Sequence, residues 1–171
     1  MASLPSVTVV SDTSPISYLV ITRTEEAIPE LYGEVLVPEA VHRELVHPNG
    51  PDVVRERISD SPAGIKEETV GSSNGERSPG KEEPGDLQDL DPGEREAIRL
   101  SVQEEAGLLI DERAGRTVAR MYGIKVTGTI GVLGAATQKG LIDPGRAVRD
   151  LRQTSFRASA DLYRWLLDKR Q

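Results

Sequence analysis

Cysteine is absent from the 171-residue sequence, which excludes disulfides and thiolate-ligated zinc and favours a reducing, cytoplasmic setting. Long apolar runs are missing too. Nothing approaches the ~20 consecutive apolar residues of a membrane span, and MASLPSVTVVSD has no basic region ahead of its apolar run. A soluble protein with no membrane partner is expected. Aromatics are few, with one Phe, one Trp and four Tyr, so Phe156, Trp165 and the tyrosines read as core or dimer contacts rather than as an array for base stacking. The two histidines, His42 and His47, stand five apart, the wrong spacing for paired ligands on one helix face, and read as surface residues.

Positive charge is short overall and unevenly placed. The net charge of -7 argues against indiscriminate nucleic-acid binding. Residues 1 to 112 hold 9 Lys+Arg against 24 Asp+Glu, giving -15, whereas residues 113 to 171 hold 12 against 4, giving +8. The length suits a single domain spanning 1 to 171. Residues 71 to 90, rich in Gly, Ser, Pro and acids with Leu87 and Leu90 as their large apolar residues, read as a flexible acidic loop inserted in it.

Short apolar runs at Val7 to Val10, Glu34 to Val37, Leu108 to Ile110 and Ile124 to Val126 predict buried strands, with an edge strand at Ile65 to Val70. Helical patterns separate them. One begins near Pro15 with Ser14 as N-cap and Ile16, Leu19 and Val20 inward. Another covers Pro38 to Val46 with Val41 and Leu45 inward. A third opens at Asp91 and carries Ala97, Ile98 and Val102, and a fourth runs from Arg113 to Tyr122 with Gly123 as its stop. The small-residue stretch after Gly128 predicts a closely packed helix ended by Gly140, and it lacks the Lys-Ser/Thr ending of a phosphate loop. Asp143-Pro144 starts one more helix, and the last, from Ser159, has Leu162, Tyr163 and Leu166 on one side. Strand alternating with helix predicts a three-layer α/β/α sandwich around a mainly parallel sheet.

In such folds ligands sit beyond the carboxyl ends of the strands. Asp12 stands there, and Glu44, Glu94 and Asp111 recur beside apolar faces or at the end of apolar runs. Each has a structural alternative. Asp12 could cap a helix, Glu44 could be a solvated flank charge, Glu94 could complete a capping box with Asp91, and Asp111 could start the helix at Arg113. Glu112 follows Asp111 directly, and either could face the crevice. Together, acids held close raise one another's pKa unless a cation neutralises them. All-oxygen donors select Mg²⁺ or Mn²⁺, and such an ion suits phosphodiester hydrolysis.

Val-Ser-Asp-Thr-Ser-Pro at 10 to 15, Val-Pro-Glu-Ala-Val-His-Arg-Glu-Leu at 37 to 45, Leu-Asp-Pro-Gly-Glu at 90 to 94, Leu-Leu-Ile-Asp-Glu at 108 to 112 and Thr-Gly-Thr-Ile-Gly-Val-Leu at 127 to 133 resemble the PIN-domain nucleases, most closely a toxin-like prokaryotic branch of unknown function. That resemblance implies a metal-dependent endoribonuclease, often the toxin of a toxin-antitoxin pair and often a homodimer, with an antitoxin and RNA as partners. It assigns the acids to Asp12, Glu44, Glu94 and Asp111, with Glu112 as a substitute for the last, and polar support to Thr13, Ser14 and Thr127 or Thr129. Glu94 departs from the Asp that most of these nucleases carry. This departure and the acidic surface motivate a second reading, a catalytically silent module that binds RNA or protein.

Arg113, Arg116 and Arg120 lie along one helix flank just after the acidic strand end and could grip an RNA backbone; Arg146, Arg149 and Arg152 form a second ladder. Either set could equally be a solvated face. A phosphatase using Asp12 as nucleophile is weaker, because Ser14 stands where a second Asp would be needed. Ser14 also lacks a nucleophile elbow, which leaves acyl hydrolysis unsupported.

Overall fold

Side chains alternate along short strands, so each inner strand of a sheet covered on both faces contributes to two cores. The computed structural model describes residues 7–71 and 87–169. Within them β1 (Val9–Ser11), β2 (Val35–Pro38), β3 (Ile65–Glu68), β4 (Gly107–Leu109) and β5 (Val126–Thr127) form a parallel sheet in the order β3-β2-β1-β4-β5. Val9 pairs with Val35 on one side and Gly107 on the other, and Leu108 pairs with Val126. Val9, Val35, Val37 and Leu109 face one core; Val10, Leu36, Leu108 and Ile110 face the other. Both faces are therefore covered, as a parallel sheet requires.

The first core is closed by α1 (Thr13–Ile21), α4 (Asp52–Ser59), α7 (Thr129–Gln138), α8 (Pro144–Arg152) and α9 (Ala160–Asp168), with Ile28 from α2 (Ala27–Tyr32) and Val41 and Leu45 from α3 (Glu39–Leu45). The second is closed by α5 (Pro92–Gln103) and α6 (Arg113–Met121). This is the expected three-layer sandwich, wholly parallel among the described strands.

Several expectations need correction. Helices α2 and α4 were not foreseen. The first is six residues with a proline inside, and the second is half charged, with only Val54 and Ile58, one turn apart, reaching the core. Val102 is 49% exposed; Leu100 and Ser101 hold the inner face of α5 instead. Leu162 is 47% exposed, leaving Tyr163 and Leu166 as the buried stripe of α9. Helix α1 begins at Thr13, so Asp12 and not Ser14 occupies the N-cap position.

Leu87 and Leu90 are buried in the second core, and the Gly71 N–H donates to the Gln103 side chain at 2.8 Å. Both ends of the acidic segment are thus anchored; its interior, 72–86, lies outside the described residues. Gly123 and Gly140 follow α6 and α7 at φ +75 and +69, the left-handed turn that ends a helix.

Candidate functional site

From β1 the chain winds outward through β2 to β3, then returns to place β4 on the other side of β1. The crevice between the carboxyl ends of β1 and β4 is therefore the topological switch point, where a ligand is accommodated without crossing a connection. The Asp12 N–H donates to the Leu109 carbonyl at 2.9 Å and fastens the two strand ends there.

Asp12 is 6% exposed and its carboxylate makes no capping hydrogen bond. Burial pushes its pKa up to about 7, with repulsion from Asp91, Glu94 and Glu44 adding to the rise and the neighbouring Thr13 N–H partly opposing it. A carboxylate so placed is destabilised by its surroundings and would be relieved by positive charge.

Glu44 reaches this region from α3, where it is exposed and accepts a hydrogen bond at Oε2 from the Thr13 hydroxyl. Gly93 leaves it room. A Cβ at that position would lie 2.7 Å from Glu44 Oε1. A second link steadies α3, since Glu96 Oε2 accepts the Ala40 N–H at 2.8 Å.

Glu94 does two things at once. Its N–H donates to Asp91 Oδ1 at 2.9 Å and its Oε2 accepts the Asp91 N–H at 3.3 Å, the reciprocal pair of a capping box. It is nevertheless only 5% exposed. Burial raises its pKa, as does repulsion from Asp91, Glu112 and Glu44, while the Asp91 N–H acts the other way. Its Oε1 would lie 3.4 Å from a Cβ on Gly115, which marks how closely α5 and α6 approach.

Asp111 does not start α6; Glu112 holds that N-cap position. Instead Asp111 reaches across to α7, accepting the Thr129 N–H at Oδ1 and the Thr129 hydroxyl at Oδ2, both at 2.7 Å. Thr129 is fully buried, so this bond pair anchors the start of α7. The two neighbouring acids thus divide: Asp111 is held by α7, and Glu112 acts on Glu94.

Thr127 ends β5, and its Cγ2 would be 2.7 Å from a Cβ on Gly131. Ser14 is half-buried in the first turn of α1. Of the first arginine ladder, Arg116 reaches the crevice, with Nη1 3.5 Å from the Ile110 carbonyl and beside Asp111 at Gly128, whereas Arg113 and Arg120 are exposed. In the second ladder Arg146 and Arg149 each lie 3.8 Å from Asp150, and Arg152 stacks 4.7 Å over Tyr163. His42 is half-buried, 3.4 Å from Glu67, and exposed His47 accepts the Asn49 N–H.

Sequence reasoning missed Asp91 as a member of the acidic group, since its helix-capping role was sufficient explanation. It also missed the Glu96 tie, for which a lone Glu on a helix offers no distinguishing pattern. Among the described residues, no three acidic or histidine side chains stand in an arrangement that would hold a metal ion as they are.

Residues 8–171 match a family model described as a PIN domain, and the chain belongs to this PIN-domain family of unknown function. No curated protein and no solved structure matches it significantly. PIN domains are generally nucleases that act on RNA with divalent metal ions. No helix among the described residues is long and apolar enough to cross a membrane.

Proposed function

We propose that this chain is a Mg²⁺- or Mn²⁺-dependent endoribonuclease whose metal is held by Asp12, Glu44 and Glu94 together with Glu112 or Asp111. The observation that carries this reading is the buried Asp12 carboxylate at the switch point of the sheet, close enough to Glu94 and Glu44, residues far from it in the chain, to be repelled by both. Their donor set fits the ion: every candidate ligand is a carboxylate oxygen, and the two buried ones are raised in pKa by burial and by like charge. When bound, a divalent ion supplies charge compensation for phosphate oxygens and lowers the pKa of water.

The chain's own residues orient and tune this arrangement. Thr13 directs Glu44 by its hydroxyl, and the capping box fixes the Glu94 carboxylate against α5. With its pKa near 7, Asp12 is partly protonated at neutral pH and must lose that proton to become a ligand, which makes ion binding tighten as pH rises. Glu112 is the better placed of the two neighbouring acids, because Asp111 already serves Thr129 with both oxygens. Arg116 offers a guanidinium to an approaching phosphate.

Incubating purified protein with single-stranded RNA and Mn²⁺ tests this. Cleavage that EDTA stops and Asp12→Asn abolishes is expected; equal cleavage by Asp12→Asn removes the assignment. Growth arrest that depends on Asp12 when the protein is expressed would extend the reading to the toxin of a toxin-antitoxin pair.

The catalytically silent reading is favoured by the lack of a closed ion site among the described residues. It requires that Mn²⁺ leave thermal stability unchanged.

A further inference from the structure

A groove of about 740 Å³ runs from the end of β5 across α7 to α9 and adjoins the acidic crevice at Asp111 and Arg116. Its aromatic walls are pinned from behind. Trp165 is 42% exposed, yet its ring edge rests on Gly134, where a Cβ would fall 2.6 Å from Cη2, and the Lys169 ammonium sits 4.5 Å from the ring centroid. Phe156 meets Tyr18 edge-on, centroids 5.0 Å apart and planes at 77°. Rigid aromatic surfaces lose little entropy when a flat ligand stacks on them.

The rings are flanked by two carboxylates, Asp111 and Asp161, and two guanidiniums, Arg116 and Arg157, and the carboxylates already have partners. Asp111 is engaged by Thr129, and Asp161 pairs with Arg164 at 3.3 Å. Arg116 and the exposed Arg157 remain as the groove's cations, and neither forms an ion pair among the described residues. Apart from Asp111, the whole lining comes from the +8 segment 113 to 171, so an acidic chain presents a largely apolar groove with two arginines, unpaired among the described residues, beside its acids.

We propose that this groove is a subsite for one unpaired base of single-stranded RNA, stacked against Trp165 and Phe156, with Arg116 and Arg157 holding the phosphates on its two sides. An apolar helix from a protein partner would bury both guanidiniums without partners, a costly arrangement. A paired base has no free face to stack on a side chain. The proposal rests on the nuclease reading and adds where the strand lies relative to the acids.

Trp165 is the chain's single tryptophan, so its emission reports on this groove alone. Wild-type protein in EDTA, where no cleavage intervenes, is titrated with an eight-residue single-stranded oligoadenylate and with an abasic ribose-phosphate oligomer of the same length. The oligoadenylate is expected to quench Trp165 saturably. Kd is expected to be about tenfold or more weaker for the abasic oligomer, given the known strength of base-aromatic stacking. Arg157→Ala, at an exposed position, is expected to weaken both several-fold.

Binding that leaves the emission unchanged, or equal affinity for the two oligomers, overturns the proposal. So does a concentration-dependent blue shift accompanied by dimers in sedimentation, which would give the groove to a second copy. Quenching without Mn²⁺-dependent cleavage by the wild type sinks the nuclease reading and leaves the subsite; cleavage with no effect of base or of Arg157→Ala sinks the subsite alone.

Discussion

Replacing Asp12 by Asn should stabilise the metal-free protein at about pH 8. The Asp12 carboxyl rises from 3.8 to about 7 on folding, so between those values the native state binds a proton that the unfolded chain has released. Stability is then full below about pH 4 and falls as pH climbs toward 7. A rise of roughly three units corresponds to a penalty on the order of 4 kcal/mol above the folded pKa. Glu94, also raised, contributes in the same direction. Asn removes the Asp12 charge at nearly the same volume. For a domain of this length 1 kcal/mol moves Tm by about 2–4 °C, so a gain on the order of 10 °C is expected in EDTA at about pH 8, shrinking toward zero near pH 4. Circular dichroism melts of both proteins across that range measure it. An Asn variant that melts at or below wild type at about pH 8, or an identical pH profile for the two, would refute the reasoning. Mn²⁺ should close the gap from the other side, raising the Tm of wild type and not of the variant.

Thr129→Val removes the hydroxyl that Asp111 Oδ2 accepts while leaving the Thr129 N–H in place; a loss of about 1–3 kcal/mol in chemical denaturation is expected, and Thr129→Ser should recover most of it. Gly93→Ala adds a Cβ against the far end of the Glu44 side chain. Helix propensity gains up to about 1 kcal/mol, so stability should hold or rise while Mn²⁺ affinity falls several-fold. An unaltered Mn²⁺ Kd in Gly93→Ala would place Glu44 outside the ion's reach.

The sandwich was legible because a parallel sheet buried on both faces demands contiguous apolar runs, and Val9-Val10, Val35-Leu36-Val37 and Leu108-Leu109-Ile110 supply them. Helices α2 and α4 were not, because a short element can rest on one or two contacts, as α4 does on Val54 and Ile58, too few to produce a period. Locally, sequence placed Asp12 at a strand end and identified the Asp91–Glu94 box, both consequences of neighbouring residues. What it could not resolve was tertiary. That Asp111 turns to Thr129 while Glu112 lies near enough to Glu94 to repel it depends on where α7 and α5 lie, and the pinning of Trp165 on Gly134 depends on the α7–α9 approach. Val102 and Leu162 fit an apolar period and face outward, since the period marks a stripe without marking its edge.

Glu94 decides between a helix cap and an ion ligand, and Gln at this position separates the two because it still completes a capping box. Calorimetric titration of Mn²⁺ into wild type and Glu94→Gln at about pH 8 is therefore the most direct measurement. The account predicts binding by wild type, an affinity at least about tenfold weaker in Glu94→Gln, and no loss of Tm in EDTA. Equal Mn²⁺ affinity in the two proteins, or no binding by either, would contradict it.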